Sequence, residues 1–165
     1  MQKAPIPIND KERVCAVQGL KLLDTASEER FDRLTREAIE RFSVPISTIT
    51  LVDKDREWFK SVQGLQTREG PRDISFCGHA LMSKVLLIIE DTLADSRFAD
   101  NPMVKGEPFI RFYAGKSLYD HDSNLPVGVF CIKDHKPREM SLIDMDDFLN
   151  LANRAEEEIN KKVEK

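Results

Sequence analysis

The stretch ISTITLVDKDREWFKSV, residues 46–62, decides the fold class of this chain. Its first seven residues are rich in β-branched side chains, which favour a strand. Asp53-Lys54-Asp55 predicts a turn, and the residues after it return as a second strand, so the whole stretch predicts a β-hairpin. Neighbouring side chains on a strand point to opposite faces. We therefore expect one of Trp58 and Phe59 in the core and the other beside Lys60 at the surface.

Two helices are predicted before this hairpin. Asn9 or Asp10 can cap a first helix that runs to about Leu22. Ser27 precedes two glutamates, and a second helix is expected to begin there because acidic residues are favourable at the positive end of a helix dipole. The apolar residues that should pack this second helix on a core recur at helical spacing: Phe31, Leu34, Ala38 and Phe42.

Further strands and a closing helix are predicted after the hairpin. The strand predictions cover residues 85–89, as a buried strand, residues 109–114 with a continuation over 116–119, and residues 127–133. Ser141 and Asp144 resemble a capping box, which predicts a helix that runs to the C-terminus. Three side chains of this helix are expected in the core: Leu142, Met145 and Leu149. Two further along are candidates for a dimer contact: Ile159 and Val163.

This succession of elements predicts an α/β (α+β) domain. Its central sheet should be largely antiparallel, and the helices of both chain ends should lie together on one face of that sheet. Pro5 and Pro7 make residues 1–8 an extended lead-in, because proline disfavours a helical conformation in the residue before it. Residues 9–165 are predicted to be a single domain, since 165 residues suffice for one core and are too few for two.

The composition argues against several classes of protein. A formal net charge of −4 and scattered basic residues argue against binding to nucleic acid. The longest apolar run, residues 85–89, is far shorter than the roughly 20 residues that span a bilayer, so no membrane partner is expected. No N-terminal secretory signal is recognised, and the expected location is the cytoplasm.

The three cysteines form no CxxC pair, which fits a reducing compartment. Cys15 and Cys131 are flanked by apolar residues and are expected to be small, buried hydrophobic side chains. Cys77 and His79 are two residues apart and, on an extended segment, would face the same side as a thiolate–imidazolium pair or as two metal ligands. A metal ion needs three or four ligands, however, and a second Cys/His pair at ligand spacing is missing. No metal site is therefore predicted.

Blocks of sequence spread along almost the whole chain resemble a known family. They include LLDT (22–25), EERFDRLT (28–35), FSVPI (42–46), LVDKDREWFKS (51–61), SFCGHA (75–80), DSRF (95–98) and IRFYAG (110–115). In this order they are similar to a large bacterial group of GAF domains, and the resemblance covers about residues 9–158.

The resemblance implies a fold and a class of function. The implied fold is a six-stranded antiparallel sheet with the terminal helices on one face and a loop-covered ligand pocket on the other. The implied function is sensory and non-catalytic, because such domains usually precede a histidine kinase or a diguanylate cyclase and regulate it. They often form parallel homodimers through the terminal helices. A small-molecule ligand, a second copy of the chain and one of these effectors are thus the expected partners, but ligand and cofactor stay unidentified because this fold hosts many.

The residues expected to surround this pocket lie on the second strand, in the segments around Cys77 and Phe98 that should roof it, and in the IRFYAG block. They are Trp58, Phe76, Cys77, His79, Phe98, Met103, Arg111 and Tyr113. The guanidinium of Arg111 offers a rigid fork that suits an anionic ligand. The alternative for this arginine is an ion pair with one of three acids: Asp91, Asp95 or Glu107.

Two other functions stay open beside a ligand-binding sensory domain. A protein-interaction or dimerisation module without a ligand would have its pocket filled by side chains. A redox sensor or enzyme would centre on Cys77. Free methionine-R-sulfoxide reductases share the GAF fold, but their nucleophilic cysteine has no counterpart here, since no cysteine lies between Cys77 and Cys131. The sequence also lacks the motifs associated with bilin attachment and with cyclic-nucleotide-binding GAF domains.

Overall fold

The hairpin predicted over residues 46–62 is present and belongs to a six-stranded, fully antiparallel sheet. The computed structural model describes residues 1–162. The elements in chain order are α1 (Asp10–Gly19), α2 (Glu29–Phe42), β1 (Ile46–Val52), β2 (Arg56–Gln63), β3 (Glu69–Pro71), α3 (Phe76–Ala80), β4 (Leu87–Ile89), a 3-10 turn (Thr92–Ala94), α4 (Pro102–Lys105), β5 (Phe112–Tyr119), β6 (Pro126–Asp134) and α5 (Leu142–Asn160). The strands lie in the order β3-β2-β1-β6-β5-β4. The predicted fold class is confirmed.

One face of the sheet carries the helices of both chain ends. Ile49 and Leu51 of β1 point to this face and belong to the same buried cluster as the apolar side chains of α1, α2 and α5. The four residues predicted to pack α2 on the core are all buried: Phe31, Leu34, Ala38 and Phe42. The common placement of the terminal helices is therefore confirmed, and it follows from the alternation of side chains along β1.

The other face is covered by α3, α4 and the loops between them. Val129 and Cys131 of β6 point to this face and join a second buried cluster with α3. The N-terminal lead-in is fastened to the same side, since the backbone N–H of Ala4 donates to the carbonyl of Asp73 over 2.9 Å. Ala4 also packs on Gly78, where an added Cβ would lie 2.6 Å from the Ala4 methyl. The lead-in thus closes over α3.

The prediction that Lys60 lies at the surface beside an aromatic residue is wrong, and β2 contains a β-bulge at this position. Thr50 of β1 pairs with Phe59 and Ile49 pairs with Ser61, so Lys60 is the extra residue of β2. Lys60 lies two positions after Trp58 and shares its face, so it turns toward α2, is fully buried and forms an ion pair with Glu28 at 2.7 Å. The bulge interrupts the alternation after Lys60, so Ser61 faces α2 as well and donates to Asp32 over 2.6 Å.

The capping box that opens α5 is confirmed, because the Ser141 and Asp144 side chains each accept a hydrogen bond from the backbone of the other. The packing face of this helix differs from the prediction. Leu142 is 83% exposed. At 3.6 residues per turn it lies about 120° around the helix from the buried Phe148. The residues that α5 buries against the core are Phe148, Leu151, Ala152, Ala155 and Ile159, with Met145 and Leu149 half-buried beside them.

Three further predictions need correction or fall outside the structure. Ile159 is 3% exposed within the core, so it is not available for a dimer contact, while Val163 lies outside the described residues. Cys15 is exposed rather than buried, because it lies on the outer side of α1. The strand predicted over residues 85–89 is shorter, and Val85 is exposed before β4 begins. Among the helices of residues 1–162, none combines the length and the hydropathy needed to cross a bilayer.

Candidate functional site

A cavity of about 620 Å³ opens on the face of the sheet away from the terminal helices. Side chains of β2 and β6 form its floor. Its walls are the chain between β2 and β3 and the segment that leads from α4 to β5. The lining residues are Glu57, Phe59, Gly64, Leu65, Gln66, Thr67, Glu69, Gly70, Pro71, Ile74, Met103, Glu107, Pro108, Ile110, Lys133 and His135. A recess between a rigid sheet and two loops is a common setting for ligand binding.

Lys133, next to the end of β6, contributes a buried amine to the floor of this cavity. Its residue surface is 1% exposed, and Nζ lies 5.9 Å from the ring centroid of Phe59 and 6.0 Å from that of Tyr113. Within residues 1–162 no carboxylate oxygen lies within 4.0 Å of this nitrogen. Burial lowers the pKa of Lys133, but acidic neighbours, Cys131 first and Glu57 next, outweigh burial and raise the pKa overall. The amine is therefore charged at neutral pH.

Glu57 contributes a buried carboxyl group from β2. It is 3% exposed, and burial raises its pKa to about 8, with a further contribution from Cys77. The charge of Lys133 and a hydrogen bond with Ser75 offset only part of this increase. At neutral pH most Glu57 side chains are protonated and can donate a hydrogen bond. The floor thus presents one ammonium group and one carboxylic acid.

Cys77 lies beside the cavity in α3 and is fully buried. The Tyr113 hydroxyl donates to its sulfur over 3.4 Å, and the thiol donates to Thr50 Oγ1 over 3.6 Å. Burial, followed by Cys131, raises the pKa of Cys77, which keeps it a thiol. The extended segment that would bring Cys77 and His79 to the same side is not observed, because this segment is helical and residues two apart on a helix do not face each other. The His79 ring instead lies against Phe98, with the centroids 4.7 Å apart.

Cys131 is the second thiol next to the floor, and it is buried, as the sequence predicts. Its sulfur is 2.9 Å from Thr48 Oγ1. Burial would raise the pKa of Cys131, but a hydrogen bond with Cys77 and the charge of Lys133 lower it to about 7. Cys131 is thus the acidic group most strongly linked to the amine of Lys133. Within residues 1–162, no three His, Cys, Asp or Glu side chains are grouped as a metal site would require.

The segments around Cys77 and Phe98 do not roof an open space. The Phe76 ring stacks on Phe98 with centroids 4.6 Å apart and on Tyr113 with centroids 5.2 Å apart, and all three residues are fully buried. The prediction of an open pocket here is wrong because aromatic side chains fill the space. The cavity lies beside this aromatic cluster, and Met103 is the member of the sequence-predicted set that lines it.

Two other predicted site residues lie away from the cavity. Arg111 is 3.1 Å from Asp91, so the alternative of an ion pair is the one observed. Trp58 points to the face that carries the terminal helices, where it joins the buried cluster and lies 5.0 Å from the guanidinium of Arg68. The structure therefore places neither residue on the cavity wall.

Sequence reasoning missed the residues that define the floor, although a local signal was present. Lys133 follows Cys131 by two positions on a strand and must share its face. Glu57 and Phe59 are related in the same way on β2. The loop residues of the wall, such as Leu65 and Pro71, carry no such periodic signal, because the path of a loop depends on contacts that are distant in sequence.

A second cavity, of about 550 Å³, lies near the C-terminal end of α5 and beside residues 19–22 and 120–122. Its buried carboxylate, Asp120, already accepts hydrogen bonds from the backbone and the hydroxyl of Ser123, at 2.9 and 2.6 Å. This satisfied acid contrasts with the floor of the larger cavity, where the Lys133 ammonium has no carboxylate partner. The larger cavity is therefore the candidate site.

Comparison with known proteins agrees with the fold. The family model of the GAF domain matches residues 27–159. The chain belongs to the GAF domain family. Over 138 residues this GAF domain is 38% identical to a cyclic di-GMP phosphodiesterase of Pseudomonas aeruginosa. The match covers 84% of this chain and 23% of that enzyme, so the chain spans about a quarter of the relative's length.

Solved structures of other GAF domains have the same fold. The GAF domain of an Acinetobacter phosphoenolpyruvate-protein phosphotransferase superimposes with a TM-score of 0.64 at 14% identity, covering 90% of this chain and 92% of that one. A free methionine-R-sulfoxide reductase from Thermoplasma acidophilum gives a TM-score of 0.64 at 10% identity, with 87% and 94% covered. At such low identity the likeness concerns the fold alone. It includes an enzyme, so the fold by itself does not decide whether this GAF domain catalyses a reaction.

Proposed function

We propose that this GAF domain is a regulatory module that binds a small molecule in the cavity floored by β2 and β6 and catalyses no reaction. The observation that carries the proposal is the buried ammonium of Lys133, which faces an open cavity without a carboxylate partner in residues 1–162. Buried charges are normally paired within the protein. An open cavity next to a buried ammonium that lacks a carboxylate partner therefore favours a partner from outside the chain.

A short path leads from this floor to the terminal helix α2, first along the backbone to the neighbour of Lys133 and then through hydrogen bonds. Asp134, next to Lys133, forms an ion pair with Arg138 at 2.9 Å. The guanidinium of Arg138 also donates to the backbone carbonyls of Phe42 and Ser43 at the end of α2, over 2.5 and 2.9 Å. A ligand on Lys133 that prefers one position of β6 would thereby bias the position of α2. Such a bias is what a ligand must supply to change an equilibrium between two states.

The module is proposed to control a catalytic partner through these helices. The similarity to part of a cyclic di-GMP phosphodiesterase supports a place in a signalling protein. A histidine kinase or a diguanylate cyclase is the proposed downstream effector, and a parallel homodimer through the terminal helices is the proposed assembly. With Ile159 buried, the exposed apolar side chains at the start of α5, Leu142 and Ile143, are the better candidates for an intermolecular contact.

The two alternatives have less support. In a module without a ligand, side chains would fill the pocket. Side chains do fill the space around Phe76 and Phe98, but a cavity of about 620 Å³ stays open beside them. A redox site would need a reactive thiolate. Cys77 is fully buried, and its pKa is raised by that burial, which works against nucleophilic attack.

Gly70 offers a direct test of the cavity. A Cβ added at Gly70 would meet one atom within 4 Å, the Glu57 Cγ at 3.9 Å, so a larger side chain there would extend into the cavity. The experiment screens a mixture of bacterial metabolites against ¹⁵N-labelled protein and follows backbone chemical shifts. We expect at least one compound to shift the resonances of the cavity walls and Gly70→Phe to abolish the effect.

Gly19→Phe is the matched control, because Gly19 lines the second cavity and has no other atom within 4 Å of an added Cβ. Binding should persist in this variant. If binding survives Gly70→Phe and is lost in Gly19→Phe, the ligand lies in the second cavity. If no compound shifts any resonance of the cavity walls, the proposal of a ligand-binding module is wrong.

A further inference from the structure

The charges around the cavity are arranged with the positive one inside and the negative ones outside. Lys133 is buried on the floor, and its neighbour Glu57 is mostly protonated at neutral pH. Glu69 and Glu107 lie on the rim, where both are exposed, and Glu69 is already paired with Arg56 at 3.1 Å. Water and salt screen the exposed charges far more than the buried one. The floor therefore dominates the electrostatics of a bound group.

The floor suits a carboxylate better than a phosphate. Phosphate sites typically combine several donors, such as arginine forks or the backbone N–H groups of a helix N-terminus. The lining of this cavity contains no arginine and no helix N-terminus other than Met103 of the short α4, whose N–H already donates to Asn101. One ammonium and one carboxylic O–H match the two oxygens of a single carboxylate.

The walls of the cavity favour a ligand whose remaining part, beyond the carboxylate, is apolar. The ring of Phe59 lies on the floor, and aliphatic side chains approach from both covering segments: Leu65, Pro71, Ile74, Met103 and Ile110. A cavity of about 620 Å³ lies in the usual size range for a small organic ligand. Apolar walls around a small number of polar groups are the typical composition of such sites.

We infer that the cavity binds a small organic acid, with its carboxylate on Lys133 and Glu57 and an aromatic or short aliphatic body against Phe59. This inference rests on the proposed ligand-binding function and specifies its ligand class. A bound carboxylate would account for the presence of an amine and a carboxyl group on one floor with no ion pair between them.

The test compares acids with their primary amides, which differ in charge but hardly in shape. The probes are phenylacetate and phenylacetamide, indole-3-acetate and indole-3-acetamide, and hexanoate and hexanamide, each titrated at pH 7 and followed by backbone and lysine side-chain NMR. We expect at least one acid to bind at least tenfold more tightly than its amide. The ε-methylene resonance of Lys133 should shift with the acid and hardly move with the amide, a readout that needs no variant.

Variants assign the preference to the buried amine. Lys133→Met should reduce the affinity for the acid to that of the amide, and Lys133→Arg should restore part of the preference. Lys136→Met is the control, since it removes the same charge from an exposed position three residues further along. It should leave the preference for acids unchanged.

The failures of the two proposals can be told apart. If acids and amides bind equally well at the cavity, the carboxylate assignment is overturned while the ligand-binding function stands. A preference for acids that survives Lys133→Met would also overturn it. If no probe of either kind binds, the organic-acid assignment is overturned, and the metabolite screen with Gly70→Phe decides separately whether the cavity binds anything.

Discussion

The raised pKa of Glu57 gives the fold a pH dependence that a single substitution should remove. Glu57→Gln keeps the shape of the side chain and replaces an ionisable group by a neutral one. In the unfolded chain the carboxyl group ionises near its ordinary value of 4.5, whereas in the folded protein it ionises at about 8. Between these values the folded state holds a proton that the unfolded state has released. The stability of the wild-type protein therefore falls as pH rises through this interval.

The size of the effect follows from the two pKa values. A tenfold change in acidity corresponds to about 1.4 kcal/mol, so the difference between 4.5 and about 8 amounts to about 5 kcal/mol at most. Below pH 4.5 both states are protonated, and Glu57→Gln should have little effect on stability. The stability of the Glu57→Gln variant relative to the wild type should rise by several kcal/mol up to pH 8. It should then level off, because Glu57 of the folded wild type ionises there as well.

Urea unfolding between pH 4 and pH 9 measures this difference, and the fluorescence of Trp58 reports it. Trp58 is the chain's one tryptophan and is 4% exposed, so its emission should shift when the protein unfolds. Glu40→Gln, at an exposed position of α2, is the matched control and should show no such trend. A stability difference between Glu57→Gln and the wild type that stays constant with pH would refute the reasoning. It would mean that water reaches the carboxyl group, so that burial does not raise its pKa.

Three further predictions concern the core, a helix cap and the thiols. Phe98→Ala should lower the free energy of unfolding by about 3–5 kcal/mol, because it leaves a cavity in a stacked aromatic cluster. Leu142→Ala, at an exposed site, is the control and should change this free energy by less than about 0.5 kcal/mol in the same urea titration. Ser141→Ala removes the N-cap of α5 and should cost about 1 kcal/mol by the same measurement, with a larger loss contradicting a purely local role. In native protein, 5,5′-dithiobis(2-nitrobenzoate) should modify Cys15 quickly and the two buried thiols only on unfolding, and rapid modification of two thiols would revive the redox alternative.

The parts of the fold that depend on local periodicity could be predicted from the sequence. The β-branched run of β1 and the helical spacing in α2 specify both the element and its buried face, and the structure agrees at Ile49 and Phe31. The helical spacing in α5 was less informative, because several phases of an apolar helix satisfy the same pattern. For this reason the pattern assigns Leu142 to the core and Ile159 to a surface contact, whereas the structure exposes Leu142 and buries Ile159. The phase is decided by which stripe of α5 meets β5 and β6, a contact between residues distant in sequence.

The cavity was harder to predict because it is what packing leaves unfilled. The sequence predicts that the SFCGHA and DSRF blocks cover an open pocket. In the structure Phe76 and Phe98 stack on each other and fill that space. The open space appears where polar loop residues such as Gln66 and Thr67 cover the sheet without filling it. No local pattern distinguishes a phenylalanine that lines a space from one that occupies it. Only the mutual distances of side chains do so.

Two lysines are fully buried among residues 1–162, and they show how a charge that stabilises the fold differs from one that awaits a ligand. Lys60 donates hydrogen bonds to Thr25 at 2.8 Å and to the carbonyl of Ala26 at 2.6 Å, and it forms an ion pair with Glu28 at 2.7 Å. Its ammonium exchanges three water contacts for three protein contacts, which a buried cation requires. Lys133 is equally buried, yet it faces aromatic rings and an open cavity without a carboxylate partner in residues 1–162. Removing Lys60 should therefore destabilise the protein whether or not a ligand is present, whereas removing Lys133 should cost the free protein less and should also remove the stabilisation that a bound acid confers. A Lys133→Met protein that unfolds as readily as Lys60→Met in the absence of ligand would show that Lys133 serves the fold instead.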